Sequence, residues 1–410
     1  MLSFKEALKL GTSLPRTNQT HTLPLFEGLN AILAHDVHAT RALPPFDNSA
    51  MDGYAIMLAD YHSLCACEGT ILAGESAASL SLKKGHTYKV MTGSQLPQNT
   101  QAVVQHEWVE ALGDNKVRIP ALDSKHTIAQ GQNIRFKGEE IAADSLLLRK
   151  GKRLNHLDLS ILASQGISQI TSFIPLKIAI FSSGDEVIEP SMQAKPHQIY
   201  NTNATSLYTL LHSYGYNCEY KGILADDKQA LNASISTFGK YDVVITSGGA
   251  SVGDADLIKD VLKAQGAQFI FDGVNTKPGR HLALATLNKT LIILLPGNPL
   301  ALLLHLHTLI LPILESMQGA YAYYPKSLTF KLDKPLKLKP NTTCAILGTI
   351  HNDTFKLFND GKIGSSSLVN MWQNNAIALF ENLDSISAGS GIKVILYNTD
   401  FCDIMDFINL

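Results

Sequence analysis

The stretch Tyr241-Asp-Val-Val-Ile-Thr-Ser-Gly-Gly-Ala-Ser-Val-Gly-Asp-Ala-Asp-Leu-Ile-Lys259 decides how the chain is read. Val243 to Thr246 is a short β-branched run of the kind that forms a fully buried parallel strand. It breaks into Ser247, Gly248, Gly249, Ala250, Ser251, Val252 and Gly253, and Asp254 follows as a capping residue type. Leu257, Ile258, Val261 and Leu262 then recur at helical spacing. Strand, glycine turn, helix is the arrangement that points backbone N–H groups and a helix N-terminus at an anion. Asp254 and Asp256 fall at that same place, and carboxylates repel a phosphate unless a divalent cation stands between them. Taken alone, the stretch is either an anion-plus-Mg²⁺ site or a glycine turn with an N-cap aspartate. It is neither a Walker loop nor a G-x-G-x-x-G fingerprint.

Working outward, the α/β alternation starts near 176. Lys177 to Phe181 is a buried strand that runs into Ser182-Ser183-Gly184-Asp185-Glu186. A helix over about 202–214, capped by Asn201 or Thr202, ends at Gly215. A strand near 219–224 leads through Ala225-Asp226-Asp227 into a helix reaching Phe238. Beyond the opening stretch, Ala267 to Phe271 is a strand before Val274-Asn-Thr-Lys277-Pro278-Gly279-Arg280. Leu291 to Leu295 is another, entering Pro296-Gly297-Asn298-Pro299 and an apolar helix to about Met317. Three turns, Ser-Gly-Asp-Glu, Ser-Gly-Gly and Pro-Gly-Asn-Pro, therefore follow directly after buried strands. In an open parallel sheet such turns gather at the carboxyl edge, where ligands bind.

The flanks read differently. Residues 3–12 and Leu25 to Ala34 carry helical spacing, and Asp36 to Thr40 looks extended. Leu43 to Ile56 is dense in turn formers, with Asp47 suited to an Asx turn and Asp52 either a cation ligand or a turn cap. Short alternating runs from 56 to 150 (Lys89 to Met91, Ala102 to His106, Lys116 to Ile119) predict a small β module. Within it, Thr92 beside Gly93 is either an anion contact or part of a turn, and Arg135 could face the acidic loop or a ligand. A helix over 156–165 follows. After Tyr324-Pro325 the runs Leu328 to Leu332, Thr343 to Leu347, Ala376 to Phe380 and Ile392 to Tyr397 predict a second β domain. Its Ser365-Ser366-Ser367 cluster is either a helix cap or an oxyanion contact.

The expected fold class is thus α/β plus β. A central parallel-sheet α/β domain spans 176–325, and a small C-terminal β domain spans 326–410. An elongated helical and extended N-terminal region (1–45 and 131–175) carries the small β module at 46–130.

Composition narrows the function classes. The chain has 410 residues, enough for two to four domains, and its 45% hydrophobic and 17% charged residues describe a well-cored protein. A net charge of −2 without a long basic cluster argues against nucleic acid as a partner. Met1 to Leu8 is amphipathic and carries an acid, unlike a signal peptide. The longest apolar run is broken by Pro296 to Pro299, which argues against a membrane span. Five scattered cysteines (65, 67, 218, 344, 402) suit reduced thiols in the cytoplasm. Cys65-x-Cys67 lacks a partner pair at zinc spacing, and His305-x-His307 lies in an apolar helix, so both read as structural.

Pro44-Pro-Phe-Asp-Asn-Ser-Ala-Met-Asp52-Gly-Tyr54 resembles the signature of the molybdopterin molybdenumtransferases, the family that includes the E domain of gephyrin. So do Met91-Thr-Gly93, Asn133-x-Arg135-x-x-Gly-Glu139, Ser183-Gly-Asp-Glu186, Thr246-Ser-Gly-Gly249 with Ser251-Val-Gly253-x-Ala-Asp256, Lys277-Pro-Gly279 and Pro296-Gly-Asn-Pro299. These stand in the family's order from about residue 3 to 370. The resemblance implies an enzyme that takes molybdate and adenylylated molybdopterin and releases molybdenum cofactor and AMP. It implies Mg²⁺ and a homodimer, with the α/β domain of one subunit facing the N-terminal β region of the other. It also implies dealings with the molybdopterin adenylyltransferase and with molybdoenzyme acceptors. By position the family's functional residues fall on Asp52, Thr92, Glu186, Asp226 or Asp227, and Asp256, with Glu186 and Asp256 suited to the metal. Lys277, Arg280 and the serine cluster would line the molybdate pocket, and the pterin phosphate would rest on Gly248-Gly249.

The chain departs from the pattern in two places. The family's Lys-Pro-Gly-Lys-Pro is Lys277-Pro-Gly-Arg280-His281 here, and no arginine follows Arg280, where the family commonly places arginines near molybdate. Either lysines such as Lys337 or Lys362 substitute, or the C-terminal domain contributes less. The competing readings are a non-catalytic molybdopterin-binding scaffold or carrier, disfavoured by the retained carboxylates, and a molybdopterin adenylyltransferase, disfavoured by the flanking domains.

Overall fold

A computed structural model describes residues 1–120, 127–248, 256–362 and 368–397, with the side chain of Asp256 outside that description. The chain forms two compact units. One comprises Asp36–Arg149 and Ser160–Ser168; the other comprises Met1–His35, Lys150–Leu159 and Gln169–Leu410.

In the first unit a six-stranded sheet runs in the order Ala102–Gln105, Gly53–Ile56, His86–Val90, Leu64–Ile71, Lys116–Arg118, Glu110–Gly113. Period-two alternation splits its strands between two cores: Tyr54, Ile56 and Val104 point into one, and Ala55, Val90 and Val103 into the other. The turn before Gly53 and the turn after Val90 lie side by side, because Gly53 and Val90 are register partners. A Cβ at Gly53 would collide with the Val104 carbonyl, so the strand has to start with glycine there.

The second unit is built on a six-stranded mixed sheet. Its elements, after the N-terminal helix α1 (Phe4–Thr12), are β1 (Lys177–Ser183), α2 (Thr202–Ser213), β2 (Asn217–Leu224), α3 (Lys228–Ile235), β3 (Val243–Ser247), α4 (Asp256–Ala264), β4 (Gln268–Asp272), β5 (Ala283–Leu287), β6 (Thr290–Leu295) and α5 (Pro299–Met317). The strand order is β2-β1-β3-β6-β5-β4. Strands β2, β1, β3 and β6 are mutually parallel, whereas β5 is antiparallel to both neighbours. Ile178, Ile180, Val243, Ile245, Leu291 and Ile293 face a core shared with α2 and α5. Ala179, Phe181, Val244, Ile292 and Leu294 face the core under α3 and α4. Burial on both faces explains why these strands read as continuous apolar runs.

Two readings of secondary structure change. Leu25 to Ala34 is not a helix: a single 3₁₀ turn, Leu25–Glu27, is followed by Asn30 at φ 66°. Beyond it the backbone bonds sideways, Leu33 N–H to Lys152 O and Ala34 N–H to Thr171 O, which draws the chain out of helical conformation. The parallel sheet also carries an antiparallel β5–β6 hairpin turning at Asn288 (φ 55°), where no strand was expected before Leu291.

Helix α5 is the one helix among the described residues long and apolar enough to cross a membrane, and 83% of its most apolar stretch is buried in the core. After it, Leu328–Leu332, Thr343–His351, Thr354–Leu357, Ala376–Glu381 and Gly391–Leu396 pair in a closed ring. The two-residue strand Thr276–Lys277 adds to that ring in parallel, with Lys277 in register with Cys344.

A buried ion pair ties this unit together. The Arg153 guanidinium donates to both Glu315 carboxylate oxygens (2.5 and 2.8 Å) and to the carbonyls of Asn30 and Tyr214 (2.6 Å each). The Tyr216 hydroxyl donates to Glu315 at 2.8 Å, and burial, with the Glu315 charge, holds its pKa well above the usual phenol value. Glu315→Ala strands the guanidinium, so urea denaturation should read a loss of roughly 3–5 kcal/mol. Glu315→Gln should lose less, and a loss below about 1 kcal/mol in the alanine variant would contradict the pairing.

Candidate active site

The parallel register of β1, β3 and β6 delivers their turns to one edge. Ser182 is the register partner of Ser247, and Ser247 of Leu295. Gly248 (φ 93°) then packs on the first turn so closely that a Cβ would stand 2.6 Å from the Ser183 hydroxyl and 2.8 Å from its carbonyl oxygen. On its other side, a Cβ at Gly297 would lie 3.5 Å from the Gly248 Cα. Glycine is required at 248 for both its conformation and this contact. Ser183-Gly184, Ser247-Gly248 and Pro296-Gly297-Asn298 are thus one cluster.

Polar groups hold the cluster rigid. Ser247 Oγ bonds Ser182 Oγ (3.2 Å), which donates to Asn201 Oδ1 (3.0 Å). Asn203 Nδ2 donates to the Gly297 carbonyl at 2.8 Å. Asn298 caps α5 by accepting from the N–H groups of Leu300 and Ala301, and Pro299 occupies the first helical position. Sequence reasoning had no role for Asn203; its signal was its place just after the cap Asn201.

The acidic residues occupy distinct positions. Asp185 and Glu186 are exposed after β1, and Glu186 makes no ion pair among the described residues. Asp226 and Asp227 are exposed after β2, and Asp227 caps α3 through Gln229 N–H and Ala230 N–H. Asp256 opens α4. Gly249, Ser251, Gly253, Asp254, Ser365 and Ser366 lie outside the described residues. Among the described residues no cluster of three His, Cys, Asp or Glu side chains could hold a metal.

Next to Pro296 and Asn298 opens a cavity of about 1100 Å³. The loop Thr276 to His281 and Ala301 line one side; Lys337, Lys339, Cys344 and Lys362 line the other. Among the described residues, Lys277, Arg280, Lys337, Lys339 and Lys362 face this space with a single acid, Asp360, which is paired to Lys334 at 3.0 Å. The cavity is therefore strongly cationic, suited to an oxyanion. Lys337 sits on the two-residue strand Leu336–Lys337.

In the other unit, Asp52 and Thr92 meet. Asp52 Oδ1 accepts from both the Thr92 N–H and its hydroxyl, each at 2.8 Å. Those two bonds, then the charges of Lys89 and His106, hold the carboxyl below its usual pKa. Arg135 lies on the short strand Ile134–Arg135 paired with Asn48–Ser49 in the signature loop. Asp47 accepts from the Lys137 N–H across that loop (2.8 Å), a bond between distant segments rather than a local Asx turn.

The fold thus sets glycine turns at the carboxyl edge of a parallel sheet beside a cationic cavity. Residues 2–166 match the MoeA N-terminal region (domain I and II), and residues 179–316 match the probable molybdopterin binding domain. The molybdopterin molybdenumtransferase of Haemophilus influenzae is 34% identical over 325 residues, 78% of each chain. That of a Nostoc species is 30% identical over 397 residues, covering 93% of this chain and 90% of its own. The crystal structure of the molybdopterin biosynthesis moeA protein from Pyrococcus horikoshii OT3 matches with a TM-score of 0.80 at 25% identity, over 97% of this chain and all of that one. The chain belongs to the molybdopterin molybdenumtransferase family.

Burial also sets a pH response. His305 and His307, inside α5, have their pKa pushed down from 6.5 to about 4 by loss of solvent. Between these values the unfolded chain binds protons that the folded chain refuses, so stability falls on acidification from about pH 6.5 toward 4. Each histidine contributes up to about 1.36 kcal/mol per pH unit. His305→Gln should remove about one proton from the slope of stability against pH in that window, and an unchanged slope would contradict its burial as a neutral group.

Proposed function

We propose that the protein is a molybdopterin molybdenumtransferase that converts molybdate and adenylylated molybdopterin into molybdenum cofactor and AMP. The observation that carries this is the cationic cavity beside the Gly248 turn, with Lys277 and Arg280 on one wall and Lys337 and Lys362 on the other. Molybdate is a tetrahedral dianion, and such donors stabilise it by charge-assisted hydrogen bonds. Tungstate, with equal charge and nearly equal size, meets the same donors. The chain has no arginine after Arg280, and the lysines on the cavity wall support their standing in for the family's arginines.

The remaining residues divide the work. The pterin phosphate rests on the glycine turn that begins at Gly248, with Ser247 and Ser183 beside it. Lys277 and Arg280 hold molybdate while one of its oxygens attacks the AMP phosphorus and the molybdopterin phosphate leaves. The Mo–O–P link so formed opens at the Mo–O bond as the dithiolene sulfurs bind molybdenum, which releases AMP. Asp52, kept ionised by Thr92, handles a proton or a cation, and Arg135 binds the anionic ligand; Asp226 or Asp227 serves a similar acidic role. Glu186 at the carboxyl edge offers the hard oxygen that Mg²⁺ requires, and Asp256 is its partner ligand; Mg²⁺ takes one or two carboxylates together with substrate phosphate. When bound there, Mg²⁺ neutralises charge building on the anhydride. Ser365 and Ser366 add hydroxyls to the molybdate pocket. A cytoplasmic homodimer, organised in four domains (1–45 with 131–175, 46–130, 176–325 and 326–410), receives substrate from the molybdopterin adenylyltransferase and serves molybdoenzyme acceptors.

The purified protein with Mg²⁺ should release AMP from adenylylated molybdopterin only when molybdate is present. AMP release indifferent to molybdate, or binding without release, would defeat the transferase reading. Lys277→Ala, Lys337→Ala and Lys362→Ala should each raise the molybdate requirement roughly tenfold or more while sparing pterin affinity, as a lost charge-assisted bond implies. Asp256→Ala should abolish Mg²⁺-dependent turnover with the fold intact, and normal turnover would remove it from the metal site.

A further inference from the structure

Lys277, Pro278, Gly279 and Arg280 form a short segment within a loop closed by the Val274 N–H to Arg280 carbonyl bond at 3.0 Å. The cationic side chains at its two ends can act together only if the backbone between them keeps one path. That path is fixed at Gly279. Its carbonyl accepts from the His305 imidazole Nε2 at 2.6 Å and from the Thr276 hydroxyl at 3.1 Å. Gly279 stands at φ 100°, and the imidazole fills the place a Cβ would take, with the Ala301 methyl 3.3 Å away.

We propose that His305 is a positioning residue for the oxyanion-binding loop, setting the geometry of Lys277 and Arg280 through its hydrogen bond to the Gly279 carbonyl. The inference rests on the loop being the molybdate holder. His305 is 2% exposed and touches the loop by backbone contact. Burial keeps the imidazole neutral, so the nitrogen facing a carbonyl must carry the proton and the tautomer is fixed. The helix itself supplies a second observation. Immediately after His305, α5 changes to a π segment, Leu306–Ile310, a rare insertion that re-aims side chains and recurs at functional sites. It follows the turn of helix, Ala301 and His305, on which the loop packs. A histidine that looks like core filling in an apolar helix thereby becomes the floor of the oxyanion loop.

The test compares His305→Leu, which removes the donor, with His305→Gln, whose amide N–H reaches the same carbonyl. Molybdate binding is measured by equilibrium dialysis on the purified full-length protein, and AMP release is measured alongside. The leucine variant should bind molybdate at least about tenfold more weakly, with the KM for adenylylated molybdopterin and kcat at saturating molybdate within about twofold of wild type. The glutamine variant should bind within about threefold of wild type. Equal molybdate affinity in the leucine variant, or equal loss in both variants, overturns the proposal. Should the leucine variant not fold, His305→Met decides, because it too lacks a donor to the Gly279 carbonyl and its flexible apolar side chain adapts to the same space. An unchanged molybdate affinity there overturns the proposal too. Wild-type protein that binds molybdate but releases AMP without it would sink the proposed function, while the His305 comparison would still be read from binding. Wild-type protein that binds no molybdate sinks both.

Discussion

Three strands in parallel register, β1, β3 and β6, are the constraint on which the edge site depends. Because Ser182, Ser247 and Leu295 are neighbours across the sheet, the turns that follow them must share one small volume. Gly248 and Gly297 make that volume habitable, since a side chain at 248 would strike the backbone of Ser183. The same edge leads into α5, whose capped N-terminus at Asn298 borders the cavity. Glycine packing, strand register and helix capping thus act as one device that holds these turns together at the sheet edge.

A second device joins the sheet to the C-terminal ring. Thr276–Lys277 leaves the α/β sheet and pairs with Thr343–Cys344, which brings Lys277 and Arg280 to a cavity that Lys337, Lys339 and Lys362 also line. Among the described residues, five cations against one paired aspartate leave a large unbalanced positive potential in the cavity. Lysine brings a compact charge on a flexible stem rather than a planar fork, so this wall relies on number more than on bidentate geometry.

Much of this was legible along the chain. The turns after buried strands, the Asp52 loop and Thr92 all carry polar and glycine residues where propensity alone would not ask for them. Two features were not legible. Leu25 to Ala34 has helical spacing, yet its N–H groups bond to the carbonyls of Lys152 and Thr171, partners more than a hundred residues away. The β5–β6 hairpin was hidden because Ala283 to Leu287 lacks the β-branched density of β6 and is shielded on both faces by distant elements.

Outside Leu25 to Ala34 and Ala283 to Leu287, the sequence by itself determined the main element types, and throughout it determined the glycine positions and the inventory of charge, because these follow from local periodicity, backbone permissiveness and residue chemistry. Tertiary structure alone decided which groups meet. It set Asp52 on the Thr92 N–H and hydroxyl, and it brought Lys337, Lys339 and Lys362 to the cavity that the loop of Lys277 lines. It also laid an apparently inert histidine under Gly279. Such meetings depend on register and crossover between segments far apart in the chain, and no local pattern encodes a distance.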